Sequence, residues 1–203
     1  MSGVEEILNY WLGPAGISPD AWQKQTKRWY ASDPEIDQEI NGRFGPTLAA
    51  AEAGDLDDWQ RSTSGCLALI ILFDQFSRNL YRGHAKAFCN DPRAVTVTDH
   101  LVLSGKLHEL DVPAQLLAFH PYHHAEDLSR QEQVVELARH LLKTSGVGWH
   151  KTINNNLDYL ENHANVIRLF GRFPHRNDIL GRQSTLEELE HMRQDPRTFG
   201  QHL

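Results

Sequence analysis

Apolar residues recur along this chain at helical intervals, and the gaps between them carry helix punctuation. Val4, Ile7, Leu8, Trp11 and Leu12 form the first stripe, with Ser2 and Glu5 spaced as a capping box and Gly13-Pro14 as its stop. Ser18-Pro19 and Asp33-Pro34 each offer an N-cap followed by proline at the first helical position. Ile36, Ile40, Phe44 and Leu48 lead up to Gly54, with a break or kink expected at Gly45-Pro46. Asp91-Pro92 opens a helix through Val95, Thr98, Leu101 and Val102 to Gly105. Leu128, Val134, Val135, Ala138, Leu141 and Leu142 mark another that ends near Gly146, and Leu157, Leu160, Ala164 and Ile167 make a stripe closed by Gly171. A last helix starts at Ser184, boxed by Glu187, with Leu186, Leu189 and Met192 expected to face inward. No segment alternates as a strand does. The expectation is an all-α fold, an antiparallel helical array in a single all-helical domain over residues 1–203, because no Gly/Ser-rich or charge-biased linker divides the chain.

The segment from about Ser64 to Leu80 breaks the amphipathic pattern. Leu67, Leu69, Ile70, Ile71, Leu72, Phe73 and Phe76 are spread all round a helix, which marks it as a central, buried one. Asp74 and Arg78 nevertheless fall on the same sector as Leu67 and Ile71, with Gln75 and Asn79 beside them. Buried charges have to be paired or they are costly. Two readings fit this arc: an i,i+4 Asp74–Arg78 pair that serves packing, or one wall of a cleft in which Arg78 offers its planar fork to an anion.

Composition narrows the setting. Of 203 residues, 20 are Lys or Arg and 27 Asp or Glu, a formal net charge of −7, while 40% are hydrophobic and 23% charged. These proportions exclude a disordered or fibrous chain, and the negative charge argues against nucleic acid as a partner. Protonating all 12 histidines would carry the net charge to +5, so its sign depends on groups that titrate near neutrality. Cys66 and Cys89 are too few for a disulfide framework and are expected to be buried and free. Residues 1–6 lack the basic start of a signal peptide, and the longest apolar run, residues 66–73, is too short to cross a bilayer. A soluble, cytoplasmic protein with no membrane partner is expected.

Two further clusters bear chemistry. Residues 171–184 gather Arg172, His175, Arg176, Asn177 and Arg182 ahead of a helix N-terminus, a combination of guanidinium forks, imidazole and backbone N–H groups suited to an anion. Residues 120–127 (HPYHHAED) form the other, with Gln131 one turn further on: His124 and Glu126 could be metal ligands or an acid/base pair, and His163 on the flank of the later stripe could join them. Neither a metal nor a cofactor is expected, since a proline lies between His120 and His123 and no Cys/His array has ligand spacing. His84, His100, His108, His140, His150, His191 and His202 look like scattered surface residues. Trp11, Trp22, Trp29, Trp59 and Trp149 are most simply core anchors, although Trp22 and Trp29 share a helix face that could line a groove. No nucleophile elbow, P-loop, dinucleotide fingerprint, zincin motif or EF-hand loop is present, and no catalytic residue is assigned.

Residues 67–83 (LALIILFDQFSRNLYRG), the stretch from His124 to Leu128 with Gln131, His163, residues 170–177 (FGRFPHRN) and Leu180-Gly181-Arg182 together resemble the uncharacterised, mainly bacterial family catalogued as domain of unknown function 924. The stripe from Val4 to Leu12 also fits, so the resemblance covers nearly the whole chain. It implies an all-helical fold similar to tetratricopeptide-repeat superhelices, with degenerate repeats, because no repeat signature is legible here. It implies a site but names no activity. Ser77 stands where the family's motif has proline, and Tyr122-His123-His124-Ala125 replaces a Leu-x-His-Ser-like stretch, which leaves His124 as the matching histidine.

Asp74, Gln75, Arg78, Asn79, His124, Glu126, Gln131, His163, Arg172, His175, Arg176 and Asn177 are therefore expected to converge on one pocket that binds a small anionic ligand or an acidic peptide end. Arg78, Arg172 and Arg176 would supply charge, and Asp74 and Glu126 would orient them. Three alternatives stand beside this: a peptide-binding scaffold of the helical-repeat type, with aromatics exposed along a groove; an enzyme using His124 or His163 with Glu126 as acid and base; and a polar network that only locks helix packing.

Overall fold

Helices form where the apolar stripes fall, and where two short proline-bearing segments gave no stripe at all. The computed structural model describes residues 1–13, 17–29 and 33–194; Pro14 and His202 lie outside the described residues. In chain order the α-helices are α1 (Val4–Trp11), α2 (Pro19–Trp29), α3 (Pro34–Ala53), α4 (Thr63–Ile70), α5 (Ser77–Leu80), α6 (Asp91–Leu103), α7 (Val112–Ala118), α8 (His120–His124), α9 (Leu128–Thr144), α10 (His150–Phe170) and α11 (Leu186–Gln194). No strand occurs among the described residues, so the fold is an all-α array. No described helix is long and apolar enough to cross a membrane.

Residues 63–80 run as one rod through the core: α4, a π-turn over Ile71–Phe76, and α5. Every residue from 65 to 79 is buried. Helices α1, α6 and α7 pack on α4, while α3 covers the π-turn and α5. At one end of this core Trp11 stacks on Trp29 at 4.9 Å, and Trp22 meets Trp29 edge-on at 4.8 Å, so the tryptophan face of α2 is turned into the core. Helices α9 and α10 run antiparallel, since Glu132 pairs with Arg168 while Arg139, further along α9, pairs with the earlier Glu161. A smaller apolar cluster of Val166, Ile167 and Phe173 lies where the chain leaves α10.

Several local expectations are corrected. Helix α3 is not broken at Pro46, because Ile40, Phe44, Thr47 and Leu48 on either side of it are fully buried and offset the one forfeited hydrogen bond. Ser2 does not box α1. Its N–H reaches Thr47 Oγ1 at 3.0 Å and its hydroxyl reaches the Arg43 carbonyl, which ties the chain start to α3. The box at α11 is Thr185 with Glu188, one residue later than expected, and the shift turns Leu186 outward to 82% exposure and leaves Leu189 exposed as well. Cys66 is buried as expected, but Cys89 is exposed.

Candidate functional site

The polar arc on the central rod owes its direction to the π-turn, which takes in more residues per turn than an α-helix and so rotates the residues beyond it. Asp74, Gln75 and Arg78 face α8 and the start of α6. Asn79 points the other way and donates to Asp37 Oδ1 of α3 at 2.8 Å, beside the Arg82–Asp37 ion pair. Helix α8 comes directly after α7, and Pro121 in its first turn presents His120, His123 and His124 together. Their rings lie 4.2–5.7 Å apart, and His163 of α10 is 5.1 Å from His123.

Asp74 is fully buried and is the hub of the cluster. Its Oδ1 accepts from His124 Nδ1 at 2.6 Å and from Arg78 Nη2 at 3.2 Å, while Gln75 Nε2 donates to Oδ2 and also lies 2.9 Å from His120 Nδ1. Burial alone would push the Asp74 carboxyl upward; His124 and Arg78 beside it outweigh that and hold it well below the usual carboxylate range. Burial holds His124 and His123 well below ordinary imidazole values and His120 at about 4. His124 is thus neutral, with its proton on Nδ1 toward Asp74.

A second carboxylate joins the cluster from the first turn of α6. Asp91 Oδ1 accepts from Arg78 Nη2 at 3.0 Å, and Arg176 Nη1 lies 3.6 Å from Asp91 Oδ2 and donates to the His124 carbonyl at 3.0 Å. Burial raises Asp91 against the pull of Arg78 and Arg176. Burial and the nearby Arg78 bring Arg176 down to about 10. Both guanidiniums flank one ring: their central carbons lie 5.2 Å (Arg78) and 4.8 Å (Arg176) from the Phe88 centroid. Arg78 is 8% exposed and Arg176 6%, yet Nε and Nη1 of Arg78 and Nε of Arg176 have no hydrogen-bond partner. Two arginines balance two aspartates in charge but not in hydrogen bonds.

The segment after α10 that carries Arg176 is itself anchored. Gly171, left-handed at φ +67°, ends α10. Glu126 accepts the Phe173 N–H at 2.8 Å and both Arg182 Nη groups, and although burial opposes it, Arg182 keeps its carboxyl low. The buried Glu188 of α11 takes two bonds from Arg172, one from Asn177 and one from the Thr185 N–H. Gln131 holds the His123 and Ala125 carbonyls, fixing the exit of α8. His175 is pushed down to about 3 by burial and by Arg176 next to it.

Of the residues expected in one pocket, the structure brings Asp74, Gln75, Arg78, His124, His163 and Arg176 to one centre. Glu126, Gln131, Arg172 and Asn177 surround it as supports whose bonds are to the protein itself, His175 lies beside Arg176 with its ring 5.5 Å from that of Phe173, and Asn79 belongs to the α3 side. Glu126 is therefore not the partner of a histidine; Asp74 is. Asp91, His120, His123 and Phe88 are members that the sequence reading did not place there. The proximity of Arg78 and Arg176 matches expectation, but the centre is closed: its most accessible side chains, His124 and Asp91, are each only 15% exposed. An open groove of about 690 Å³ lies elsewhere, lined by Leu110, Val112, Leu141 and Trp149 among others, and no residue of the polar centre lines it. Among the described residues no group of three or more His, Cys, Asp or Glu is arranged to hold a metal ion.

Comparison with known proteins agrees with this architecture. A solved structure of a protein of unknown function from Agrobacterium tumefaciens superposes with a TM-score of 0.77 at 31% sequence identity, over 94% of this chain and 97% of that one. No curated protein matches. The family model described as a bacterial protein of unknown function (DUF924) matches residues 7–196, and the chain belongs to that family.

Proposed function

We propose that the closed polar centre binds a small anionic ligand, a carboxylate or phosphate, on the paired guanidiniums of Arg78 and Arg176. The observation that carries this reading is the unmet hydrogen bonding of those two groups. A buried guanidinium left with unpaired N–H groups is costly, and an anion supplies the missing acceptors with charge-assisted bonds. Arg176 is brought down to about 10 by its burial first and by the neighbouring Arg78 second, so an anion reaching it would meet a poorly solvated cation. Entry requires Phe88 to move off the two guanidiniums. That residue ends a short turn, Ala85–Phe88, preceded by Gly83 at φ +77°.

A thermal-shift titration with inorganic phosphate and with small carboxylates tests the reading, with sodium chloride at matched ionic strength as reference. A ligand at a hundred times its Kd stabilises the folded chain by about 2.7 kcal/mol. We expect a saturable stabilisation that Arg176→Lys weakens, since a lysine keeps the charge but loses the fork. Equal melting temperatures in every anion and in chloride would refute it. The peptide-scaffold alternative has one tryptophan on the open groove, Trp149, but less support overall, because Trp11, Trp22 and Trp29 are buried in the core.

A further inference from the structure

Building on that anion-binding reading, we infer that the centre is a phosphoryl-transfer site in which Nε2 of His124 takes the phosphoryl group of a small phosphomonoester and passes it to water. The geometry meets three needs of this reaction. The Asp74 carboxylate, 2.6 Å from Nδ1, pins the ring in the tautomer whose Nε2 carries the lone pair, and among the described residues the ring's hydrogen bond is the one from Nδ1. Arg78 shares the Asp74 carboxylate with His124 Nδ1, and Arg176 donates to the His124 backbone carbonyl, so both guanidiniums are tied to this residue's surroundings while retaining unused N–H groups. The same carboxylate offsets the positive charge that the imidazole acquires when Nε2 forms a bond.

In the first step the Nε2 lone pair bonds to phosphorus as the bond from phosphorus to the ester oxygen breaks. Two arginines and two aspartates leave the centre neutral, so the substrate enters as its monoanion, and its own proton passes to the departing oxygen, which leaves as an alcohol. The ring, phosphorylated on Nε2 and still protonated on Nδ1, is a cation paired with Asp74. In the second step a water oxygen bonds to phosphorus, the N–P bond breaks, its electron pair returns to Nε2, and both protons of the water remain on the released phosphate. Phosphoryl transfer passes through a loose transition state that asks little bonding of its nucleophile, so a weakly basic buried imidazole serves here where it would be a poor general base.

The groups facing His124 are His120 and His123 on α8, Asp74, Gln75 and Arg78 on the central rod, Asp91 at the start of α6 and Arg176 after α10. Of the substrate and these groups, the ester's second ionisation, near pH 6, sets the upper limb: turnover falls about tenfold per pH unit above it.

The test uses the full chain with p-nitrophenyl phosphate at pH 5.5, quenched in alkali at intervals, with release read from the yellow nitrophenolate anion and the quenched protein taken for peptide mass spectrometry. We expect release, an added phosphoryl group on the peptide containing His124, and a loss of roughly a thousandfold in His124→Ala. His124→Gly should regain release, without the adduct, when free imidazole is added. Absence of release, release that survives in His124→Ala, or an adduct on another residue would overturn the inference. Mapping the adduct in the unmutated chain decides the matter even if the variants fold poorly. Stabilisation by inorganic phosphate without turnover removes this inference alone, and no phosphate binding removes the anion-binding reading with it.

Discussion

Replacing Asp74 with Asn changes one atom of the hub and tests whether its charge organises the centre. The carboxylate accepts from His124 Nδ1 at 2.6 Å, from Arg78 Nη2 at 3.2 Å and from the Gln75 amide, all at zero exposure. An asparagine has one acceptor oxygen, so in either amide orientation an NH2 group meets a donor, and the ion pair with Arg78 is lost. Removing one partner of a buried ion pair costs about 3–5 kcal/mol. Arg78 keeps Asp91 at 3.0 Å, which places the loss at the low end, about 3 kcal/mol. For a chain of 203 residues that is a fall in Tm of roughly 6–12 °C, measured by circular dichroism at pH 7 with urea unfolding as a check. The pH dependence has a definite sign. Asp74 is depressed in the folded state, so its contribution is present above the unfolded carboxylate value of about 3.9 and is lost as pH falls through and below it. The gap between the two proteins should therefore hold from pH 7 to pH 5 and close only below about pH 4. A loss under about 1 kcal/mol at pH 7 would refute the view that an ionised Asp74 organises the cluster.

Three other outcomes derive from the same geometry. His120, His123 and His124 are held neutral by burial, so the unfolded chain takes up protons below about pH 6.5 that the folded one refuses; stability should fall by up to roughly 1.4 kcal/mol per pH unit for each of them between pH 6.5 and 5, and a flat urea midpoint over that window would contradict it. Gly65→Ala would place a Cβ 2.1 Å from the Trp59 carbonyl oxygen, which is backbone and cannot swing away; a loss of about 1–3 kcal/mol in urea unfolding is expected, and an unchanged midpoint would show that the approach relaxes freely. Phe88→Ala uncovers the two guanidiniums and should tighten phosphate binding in calorimetry while costing about 3 kcal/mol of stability; unchanged or weaker affinity would show that Phe88 does not guard the site.

The long helices were legible because their apolar stripes coincide with burial: Leu157, Leu160, Ala164 and Ile167 all face inward on α10. The central rod was legible for the opposite reason, apolar residues on every side. What periodicity could not show is the π-turn within it, which leaves no compositional mark yet sends Asn79 to Asp37 while Asp74 and Arg78 face α8. Helices α7 and α8 are short and carry Pro113 and Pro121 in their first turns, so neither produces a stripe, and the joint presence of His120, His123 and His124 depended on seeing them as helical. Asp91 was hidden by its own plausibility as a cap before Pro92; its carboxylate serves Arg78 instead of the helix start. At α11 two adjacent Ser/Thr and two adjacent Glu offer two boxes in different registers. Glu188, with Arg172 and Asn177 to bind, decides for the second.

The central claim is that Arg78 and Arg176 form an anion site, and the arginine Nε–H signals in a nitrogen–proton correlation spectrum test it most directly. Both Nε groups are buried and unpartnered, so each should give a solvent-protected signal, assigned by its loss in Arg78→Lys and Arg176→Lys. We expect both to move together and saturably as inorganic phosphate is added, at chloride concentrations that leave the exposed arginines unmoved. Signals that stay fixed while phosphate reaches the same ionic strength as the chloride control would contradict the claim and leave the cluster as a device for packing helices.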